Sequence, residues 1–304
     1  MPDDRAHPVR ITSLDDPRVA VYRNQKDAWL RVRSAIEAGV PAYDAGVGLP
    51  AAAAAKGLFM AEGDLVVRQL IRANALERGP KVLSVLISDN RAETMADALA
   101  ELPPGSPVYV GDGETLSGIV GFVLHRGVLA CGVRPPDLWT PARLASERRL
   151  IVVLEDLANH DNVGGIFRSV GALAGPDDAG VLLSPRCCDP LYRKALRVSI
   201  GQALHVPYAV ERRWPEGLAD LVSAGFEVLA LTPASGAADL NEIARAAPDP
   251  SRRIALLLGA EGPGLTAEAM AQASRPVRIP VLPEADSLNV ATAGAIALHR
   301  LWPL

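Results

Sequence analysis

The 304-residue sequence has few aromatic residues, few cysteines and no long apolar run. Its three cysteines, Cys131, Cys187 and Cys188, form neither an even disulfide set nor the paired spacing of a zinc site. No apolar run approaches the roughly 18 residues that suggest a membrane span, and the first ten residues lack the apolar stretch of a signal peptide. We therefore expect buried or bystander thiols, no membrane association and a cytoplasmic location.

Net positive charge is also absent. The 31 basic and 35 acidic residues give a formal charge of −4, which argues against a broadly basic surface for nucleic acid. Two local clusters depart from this average, with five basic residues against one acid in residues 18–33 and four against one in residues 186–197. Each cluster is either a solvated helix face or a contact site for an acidic partner.

The remaining composition, 49% hydrophobic and 22% charged, is typical of a globular protein, and the length favours two domains. A proline-rich, basic stretch at residues 135–149 separates two regions with different patterns. We predict a first domain over residues 1–138, a linker over 139–149 and a second domain over 150–304. The alanine run at residues 51–55 predicts a helix turn or an insertion.

Both regions alternate strand and helix patterns, so the predicted fold class is α/β. In the first region, apolar runs at residues 82–87, 108–110 and 128–133 alternate with helical patterns at 64–76 and 92–99. The second region has nearly continuous apolar runs, which are typical of parallel strands covered on both faces. These runs begin at Leu150, Gly180, Phe226, Arg253 and Pro276. Ligand sites of such sheets lie at the carboxyl ends of the strands.

After the first of these strands comes DLANHDNVGGIFRSVGALAG, in which Asn162 can cap a helix. Arg168 falls on the same helix face as Gly164 and Gly165, so the glycines are predicted to clear room beside its guanidinium. The alternative is a surface arginine on a glycine-loosened helix.

Two later strands also end in polar or glycine-rich segments. LGAEGPGLT contains Glu261 and a helix-cap candidate, Thr266, but matches neither the Walker nor the dinucleotide glycine pattern. An ordinary tight turn explains it as well. In IPVLPEADSLNVATAGAIALHRLW, Ser287 and Asn289 precede an alanine-rich helix suited to close packing, and either residue is alternatively a simple cap.

Together these segments resemble, in order and spacing, the three motifs of the SpoU/TrmH family (SPOUT superfamily) of RNA ribose 2′-O-methyltransferases. The motifs are Asn-x-Gly-x-x-x-Arg, Gly-Ala-Glu-Gly-x-Gly, and Ile-Pro followed by Ser-Leu-Asn-Val, and the resemblance runs from about Leu150 to the end. Arg197, Ser199 and Gly201 are similar to the family's Arg-x-Ser-x-Gly segment. Looser similarity links the first half to the L30e-like substrate-binding domain, although residues 39–56 have no counterpart there.

The resemblance implies a parallel-sheet α/β domain with a trefoil knot, a homodimer formed through that domain, and S-adenosylmethionine as cofactor, with no metal. The cofactor would contact Leu231, Thr232, Pro233, Leu258, Gly259, Ile279 and Leu288. The catalytic positions would be Asn162, Arg168, Glu261, Ser287 and Asn289, and RNA would be bound by Arg168, Arg193, Lys194 and Arg197.

The implied reaction is attack of a ribose 2′-hydroxyl on the methyl group of a sulfonium. Because arginine stays protonated, Arg168 is better cast as the cation that grips a phosphate and lowers the pKa of the hydroxyl than as a base. A direct role of Arg168 in proton removal stays open. Ribosomal RNA is the first expected substrate and transfer RNA the second.

The sequence departs from the family pattern in two places. Leu282, Pro283 and Glu284 occupy a loop that usually has a glycine, and Ala291 and Thr292 replace a more usual Ser-Val. These changes put the shape of the cofactor loop in doubt, but not the polar core of the motif. The rival function is a catalytically silent RNA-binding protein of the same fold; a Rossmann enzyme would carry its glycine-rich turn after the first strand.

Overall fold

The computed structural model describes residues 8–23, 25–31, 57–76, 79–135, 139–245, 251–282 and 284–302. The chain divides into two units. The first comprises Met1–Pro136 and Leu191–Leu204, and the second comprises Asp137–Pro190 and His205–Leu304. Within the described ranges, no helix is both long and apolar enough to cross a membrane. The alanine run and the insertion at residues 39–56 lie outside the described residues.

Strands are separated by one or two helices along most of the chain, and β9 and β10 follow each other directly. The strands are β1 Pro8–Arg10, β2 Leu58–Glu62, β3 Lys81–Ser88, β4 Val108–Gly111, β5 Val128–Val133, β6 Leu150–Leu154, β7 Ala179–Leu183, β8 Tyr208–Val210, β9 Phe226–Leu231, β10 Ala238–Asp239, β11 Arg253–Leu258 and β12 Arg275–Arg278. The α-helices are α1 Asp27–Leu30, α2 Asp64–Asn74, α3 Asp89–Ala92, α4 Ala96–Leu99, α5 Gly113–Val120, α6 Pro141–Glu147, α7 His160–Leu173, α8 Gly175–Asp178, α9 Arg193–Val198, α10 Leu218–Ser223, α11 Leu240–Arg245, α12 Ala267–Gln272 and α13 Val290–Leu301. Short 3-10 helices span Pro17–Tyr22 and Gln202–Leu204.

The first unit contains a mixed five-stranded sheet in the order β1-β4-β3-β5-β2. Strands β1, β3 and β4 are parallel, whereas β5 runs antiparallel to both β3 and β2. Helix α2 buries an apolar stripe at Val66, Val67, Leu70 and Ile71, which has the spacing of an amphipathic helix. The single helix predicted over residues 92–99 is wrong: α3 and α4 are separate, because a turn at residues 93–95 interrupts the helix and buries Met95.

The second unit contains a seven-stranded, wholly parallel sheet in the order β10-β12-β9-β11-β6-β7-β8. The five predicted strands are present, and β6, β7 and β11 are almost fully buried, as continuous apolar runs require. The two edge strands, β8 and β10, were not predicted. Since every strand points the same way, the segments that follow them meet at one edge of the sheet.

The predicted linker at residues 139–149 differs from what the structure contains. Its central part is helix α6, which begins after Thr140, whose hydroxyl accepts a hydrogen bond from the Arg143 amide at 3.2 Å. Leu144 is fully buried in the core of the second unit. The prolines had indicated a linker, but a proline at the first helical position is compatible with a helix.

The segment Leu191–Leu204 belongs to the first unit, although the predicted boundary assigned it to the second. Helix α9 buries Ala195 and Leu196 and packs against β2. Gly201 follows in a left-handed conformation, with φ of 78°, and a Cβ there would lie 2.6 Å from the Cβ of Gln69. The glycine of the Arg-x-Ser-x-Gly segment is therefore required by both backbone conformation and close approach.

Candidate functional site

A cavity of about 340 Å³ opens at the carboxyl ends of three adjacent strands of the second sheet, β9, β11 and β12. All seven residues predicted to contact a cofactor line it: Leu231 at the end of β9 with Thr232 and Pro233 after it, Leu258 at the end of β11 with Gly259 after it, Ile279 after β12, and Leu288 before α13. Glu261, Ser287 and Asn289 line the same cavity. Its volume lies in the range of small-molecule sites, about 300–1,000 Å³.

One wall of the cavity is the glycine-rich turn at residues 259–265. The amide of Gly264 donates to the carbonyl of Ala260 at 3.0 Å, so the turn closes on itself. A Cβ at Gly259 would lie 2.4 Å from the amide nitrogen of Leu265, and Gly262 has a left-handed φ of 85°. Glycines therefore allow this turn to form, and they leave Glu261 exposed at the cavity wall.

Helix α7 begins earlier than predicted. Asn159, not Asn162, is its N-cap, and the Asn159 side chain accepts from the amide of Asp161 at 2.8 Å. Asn162 lies in the first helical turn with only 5% of its surface exposed. Because Asn162 does not cap the helix, its side-chain oxygen is available to accept a hydrogen bond from Nδ2 of Asn289 at 2.9 Å.

Asn289 combines the two roles that the sequence left open. Its Oδ1 caps α13 by accepting from the amides of Ala291 at 2.9 Å and Thr292 at 3.2 Å, while its Nδ2 binds Asn162. The same residue lines the cavity. The first and third motifs are therefore joined through one pair of amide side chains.

Helices α7 and α13 pack closely through small residues, as the alanines of the third segment predicted. A Cβ at Gly165 would lie 3.1 Å from the Cβ of Ala291, and a Cβ at Gly294 would lie 3.0 Å from Cδ1 of Leu258. The prediction that Gly165 clears space for Arg168 is wrong, because Gly165 makes room for α13. Arg168 itself is exposed and is not among the residues that line the cavity.

The other predicted RNA-binding residues lie on α9, in the first unit. Arg193 forms an ion pair with Asp27 at 3.3 Å, and its guanidinium lies 5.2 Å from the ring centroid of Phe122. Lys194 and Arg197 are exposed. Arg193 thus has an intramolecular role, which the sequence alone did not predict.

The unusual loop at residues 282–284 does not fill the cavity where it is described. Leu282 has 75% of its surface exposed and is not among the lining residues, whereas Val281 is. The carbonyl of Leu282 accepts from the amide of Ala285 at 2.9 Å, which forms a turn at the cavity rim. Pro283 lies outside the described residues.

Comparison with known proteins places these features in a family. The model of the SpoU rRNA Methylase family matches residues 149–299. An uncharacterized tRNA/rRNA methyltransferase of Mycobacterium tuberculosis is 41% identical over 245 residues, which is 81% of each chain. The chain belongs to the SpoU rRNA methylase family. The resemblance identified from the three motifs is thereby confirmed.

Two solved structures share the fold of this SpoU-family chain. An AdoMet-bound rRNA methyltransferase from Sinorhizobium meliloti superposes with a TM-score of 0.67 and 22% identity, over 96% of this chain and 97% of that one. An RNA 2′-O ribose methyltransferase superposes with a TM-score of 0.66 and 21% identity, over 96% and 98%. The fold similarity extends over nearly the whole SpoU-family chain.

Sequence reasoning missed Glu155, which directly follows β6 of the SpoU-family chain. Only 1% of its surface is exposed. Its carboxylate accepts hydrogen bonds from Nε1 of Trp214 at 2.9 Å, from the Thr266 hydroxyl at 2.8 Å and from the Thr266 amide at 2.9 Å. Thr266 is also the N-cap of α12, as predicted. The available signal was an acid placed immediately after a buried apolar strand.

Asp156, the next residue, was also missed. It adopts a left-handed backbone conformation with φ of 55°, which is uncommon for a residue other than glycine. Its carboxylate accepts from the Ser184 hydroxyl at 2.7 Å and from the guanidinium of Arg186. The hydrogen bonds from Arg186 make the largest contribution to lowering the pKa of Asp156, and the hydrogen bond from Ser184 lowers it further. These contacts stabilise the ionised side chain at the carboxyl edge of β6 and β7.

Proposed function

We propose that this SpoU-family protein transfers the methyl group of S-adenosylmethionine to a ribose 2′-hydroxyl of RNA, with ribosomal RNA as the first candidate and transfer RNA as the second. The observation that carries the proposal is the single cavity lined by all seven positions that the motif resemblance assigns to the cofactor. The names of the M. tuberculosis relative and of the S. meliloti structure support the substrate class and the cofactor.

The residues of the cavity fit S-adenosylmethionine. Leu231, Leu258, Ile279 and Leu288 offer aliphatic surface suited to the faces of an adenine ring. Strand ends and the turn beginning at Gly259 bring backbone amides and carbonyls to the cavity wall, where they can bind the edges of the base and the ribose hydroxyls. When bound, the cofactor supplies an electrophilic methyl group on a sulfonium.

Arg168 is proposed to act on the RNA. A ribose hydroxyl is a poor nucleophile at neutral pH, so a nearby cation promotes the reaction by stabilising the developing alkoxide. The Arg168 side chain is exposed, and within the described residues it makes no ion pair or hydrogen bond. It is therefore available to bind a phosphate and to lower the pKa of the hydroxyl.

The remaining predicted catalytic residues orient the reactants in this proposal. The Asn162–Asn289 hydrogen bond ties the helix that carries Arg168 to the cavity wall. Ser287 and Glu261 present polar groups inside the cavity. Lys194 and Arg197 are further RNA contacts, whereas Arg193 stabilises α9 through Asp27 and Phe122.

The proposal includes the trefoil knot, the L30e-like identity of the first domain, a cytoplasmic location and a homodimer through the second unit. A surface depression between α7 and α13 supports the dimer. It is lined by the apolar side chains of Leu173, Ala295 and Ile296, the last 36% exposed, and by His299 and Arg300. Light scattering should give twice the monomer mass for the wild type, and Ile296→Glu should shift the mass towards the monomer. A wild-type monomer at all concentrations would remove the dimer from the proposal.

The decisive experiment combines cofactor binding with methyl transfer. We expect the wild-type protein to bind S-adenosylmethionine in calorimetry and to transfer a radioactive methyl group to ribosomal or transfer RNA at a ribose 2′-oxygen. Arg168→Ala should abolish transfer while cofactor binding survives. Arg245→Ala is a matched control, because this exposed arginine lies beside His299 and Arg300 in the last turn of α13, whereas the cavity lies at the first turn of that helix.

Each alternative has a distinct result. Correctly folded protein that binds no S-adenosylmethionine would rule out the proposed cofactor. RNA binding without transfer to any stable RNA would favour the catalytically silent RNA-binding protein. Equal loss of cofactor binding and transfer in Arg168→Ala would place Arg168 on the cofactor side.

A further inference from the structure

We infer that Glu155 is a positioning residue that holds the glycine-rich turn of the cavity in the conformation that binds the methyl donor. The inference rests on the proposed function. Glu155 is not among the cavity-lining residues, so its action is transmitted through the turn at residues 259–265.

Glu155 binds both ends of that turn. Its backbone amide donates to the carbonyl of Leu258, the last residue of β11, at 2.9 Å. Its carboxylate accepts from the amide and the hydroxyl of Thr266, which follows the turn, at 2.9 and 2.8 Å. A single residue, directly after the neighbouring strand β6, therefore fixes where the turn begins and where it ends.

The site requires a carboxylate rather than an amide. Three donors converge on the Glu155 side chain, two from Thr266 and one from the indole of Trp214. A carboxylate has acceptor sites on both oxygens, whereas a glutamine would place an NH₂ donor against one of these donors. Because the side chain is almost fully buried, a donor left unpaired there finds no water in compensation.

The effect on the cavity follows from the tightness of the turn. Gly259 lies against the amide of Leu265, and the bond between Gly264 and Ala260 closes the loop, so a shift of Thr266 is passed on to the cavity wall. That wall includes Gly259 and Glu261. Release of the Thr266 end should therefore weaken cofactor binding without altering any group that touches the cofactor.

The experiment compares four variants of the full chain. Glu155→Gln replaces one of the two accepting carboxylate oxygens with an NH₂ donor. Thr266→Val removes the hydroxyl that donates to Glu155 and caps α12, and Thr266→Ser restores both contacts. Trp214→Phe is the matched control, because it removes a hydrogen bond to the same carboxylate from a residue outside the turn. The readouts are the dissociation constant of S-adenosylmethionine by calorimetry, kcat at saturating cofactor, KM for RNA, and thermal unfolding.

We expect Glu155→Gln and Thr266→Val to raise the dissociation constant of S-adenosylmethionine about ten-fold, the factor that corresponds to about 1.4 kcal/mol. KM for RNA should stay near the wild-type value. Thr266→Ser should bind the cofactor as the wild type does. Trp214→Phe should lower the unfolding temperature while changing cofactor affinity less than about two-fold, a small fraction of that ten-fold step.

Three results would overturn the inference: wild-type cofactor affinity in folded Glu155→Gln, an equal loss of affinity in Trp214→Phe, or no rescue by Thr266→Ser. If Glu155→Gln does not fold, the Thr266 pair decides the question by the same criteria. A wild-type protein that binds no S-adenosylmethionine would instead refute the proposed function, and the inference with it.

Discussion

The contact between α7 and α13, on which the Asn162–Asn289 pair depends, can be tested by moving one methyl group from Ala291 on α13 to Gly165 on α7. In Gly165→Ala the new Cβ would lie 3.1 Å from the Cβ of Ala291, closer than the roughly 3.5–4.0 Å of an optimal carbon contact. In the double variant Gly165→Ala/Ala291→Gly the methyl group is moved from one helix to the other, so the overlap disappears.

The magnitudes follow from opposing terms. Gly165→Ala gains about 1 kcal/mol of helix propensity but suffers overpacking of about 1–3 kcal/mol, so we expect a net loss of about 1 kcal/mol in the free energy of unfolding. Ala291→Gly loses about 1.5 kcal/mol, from helix propensity and from a missing, partly buried methyl group. The double variant should lose only about 0.5 kcal/mol, which gives a favourable coupling of about 2 kcal/mol.

Urea unfolding followed by tryptophan fluorescence measures this coupling, since three of the four tryptophans, Trp139, Trp214 and Trp302, belong to the second unit. Cofactor affinity should follow the same pattern, because Asn162 lies one helical turn from Gly165. Additive effects, with a coupling below about 0.5 kcal/mol, would refute the idea that the Gly165–Ala291 contact sets the helix spacing.

Three further perturbations test other contacts. Asn289→Ala should lower the free energy of unfolding by about 2 kcal/mol, because it removes both the cap of α13 and the hydrogen bond to Asn162. Asn289→Ser should lower it by about 1 kcal/mol, since serine can still cap the helix. Equal losses in urea unfolding would contradict the double role of Asn289. The pKa of Asp156 is lowered from 3.8, so its ionised form stabilises the fold above that value, and this stabilisation is lost as pH falls through the lower folded-state pKa. Asp156→Asn should therefore destabilise the protein at pH 7 but not at a pH below the folded-state pKa, and a pH-independent difference would argue against the Arg186 contact. Burial raises the pKa of the three cysteines Cys131, Cys187 and Cys188, that of Cys188 to about 12. Since the thiolate is the reactive form, the folded protein should react slowly with a thiol reagent at pH 8. Rapid labelling would contradict the burial of these thiols.

The central strands and the cavity were predictable from local pattern. Strands β6, β7, β9 and β11 are apolar runs of five or six residues, long enough to be distinguished from loops. The cavity residues follow from those strands, because polar and glycine-rich segments at parallel strand ends converge. By contrast, β8 and β10 have three and two residues, too few to show any periodicity.

Contacts between distant parts of the chain were not predictable. Glu155 and Thr266 are 111 residues apart, and Asn162 and Asn289 are 127 apart. In the sequence these residues cannot be distinguished from the acids, threonines and asparagines that lie at the solvated surface. Local pattern also misassigned the cap of α7, since Asn159 and Asn162 are equally good capping residues and only the backbone path decides between them.

The assignment of Leu191–Leu204 to the first unit has a consequence for biosynthesis. Every strand of the first sheet has been synthesised once Val133 is added, but α9, which packs against β2, begins only at Arg193. At about 5–20 residues per second, the intervening stretch of about 60 residues takes roughly 3–12 s to translate. During that interval the sites later covered by Ala195 and Leu196 stay open while β6 and β7 emerge. The first unit is therefore completed only after part of the second has been made.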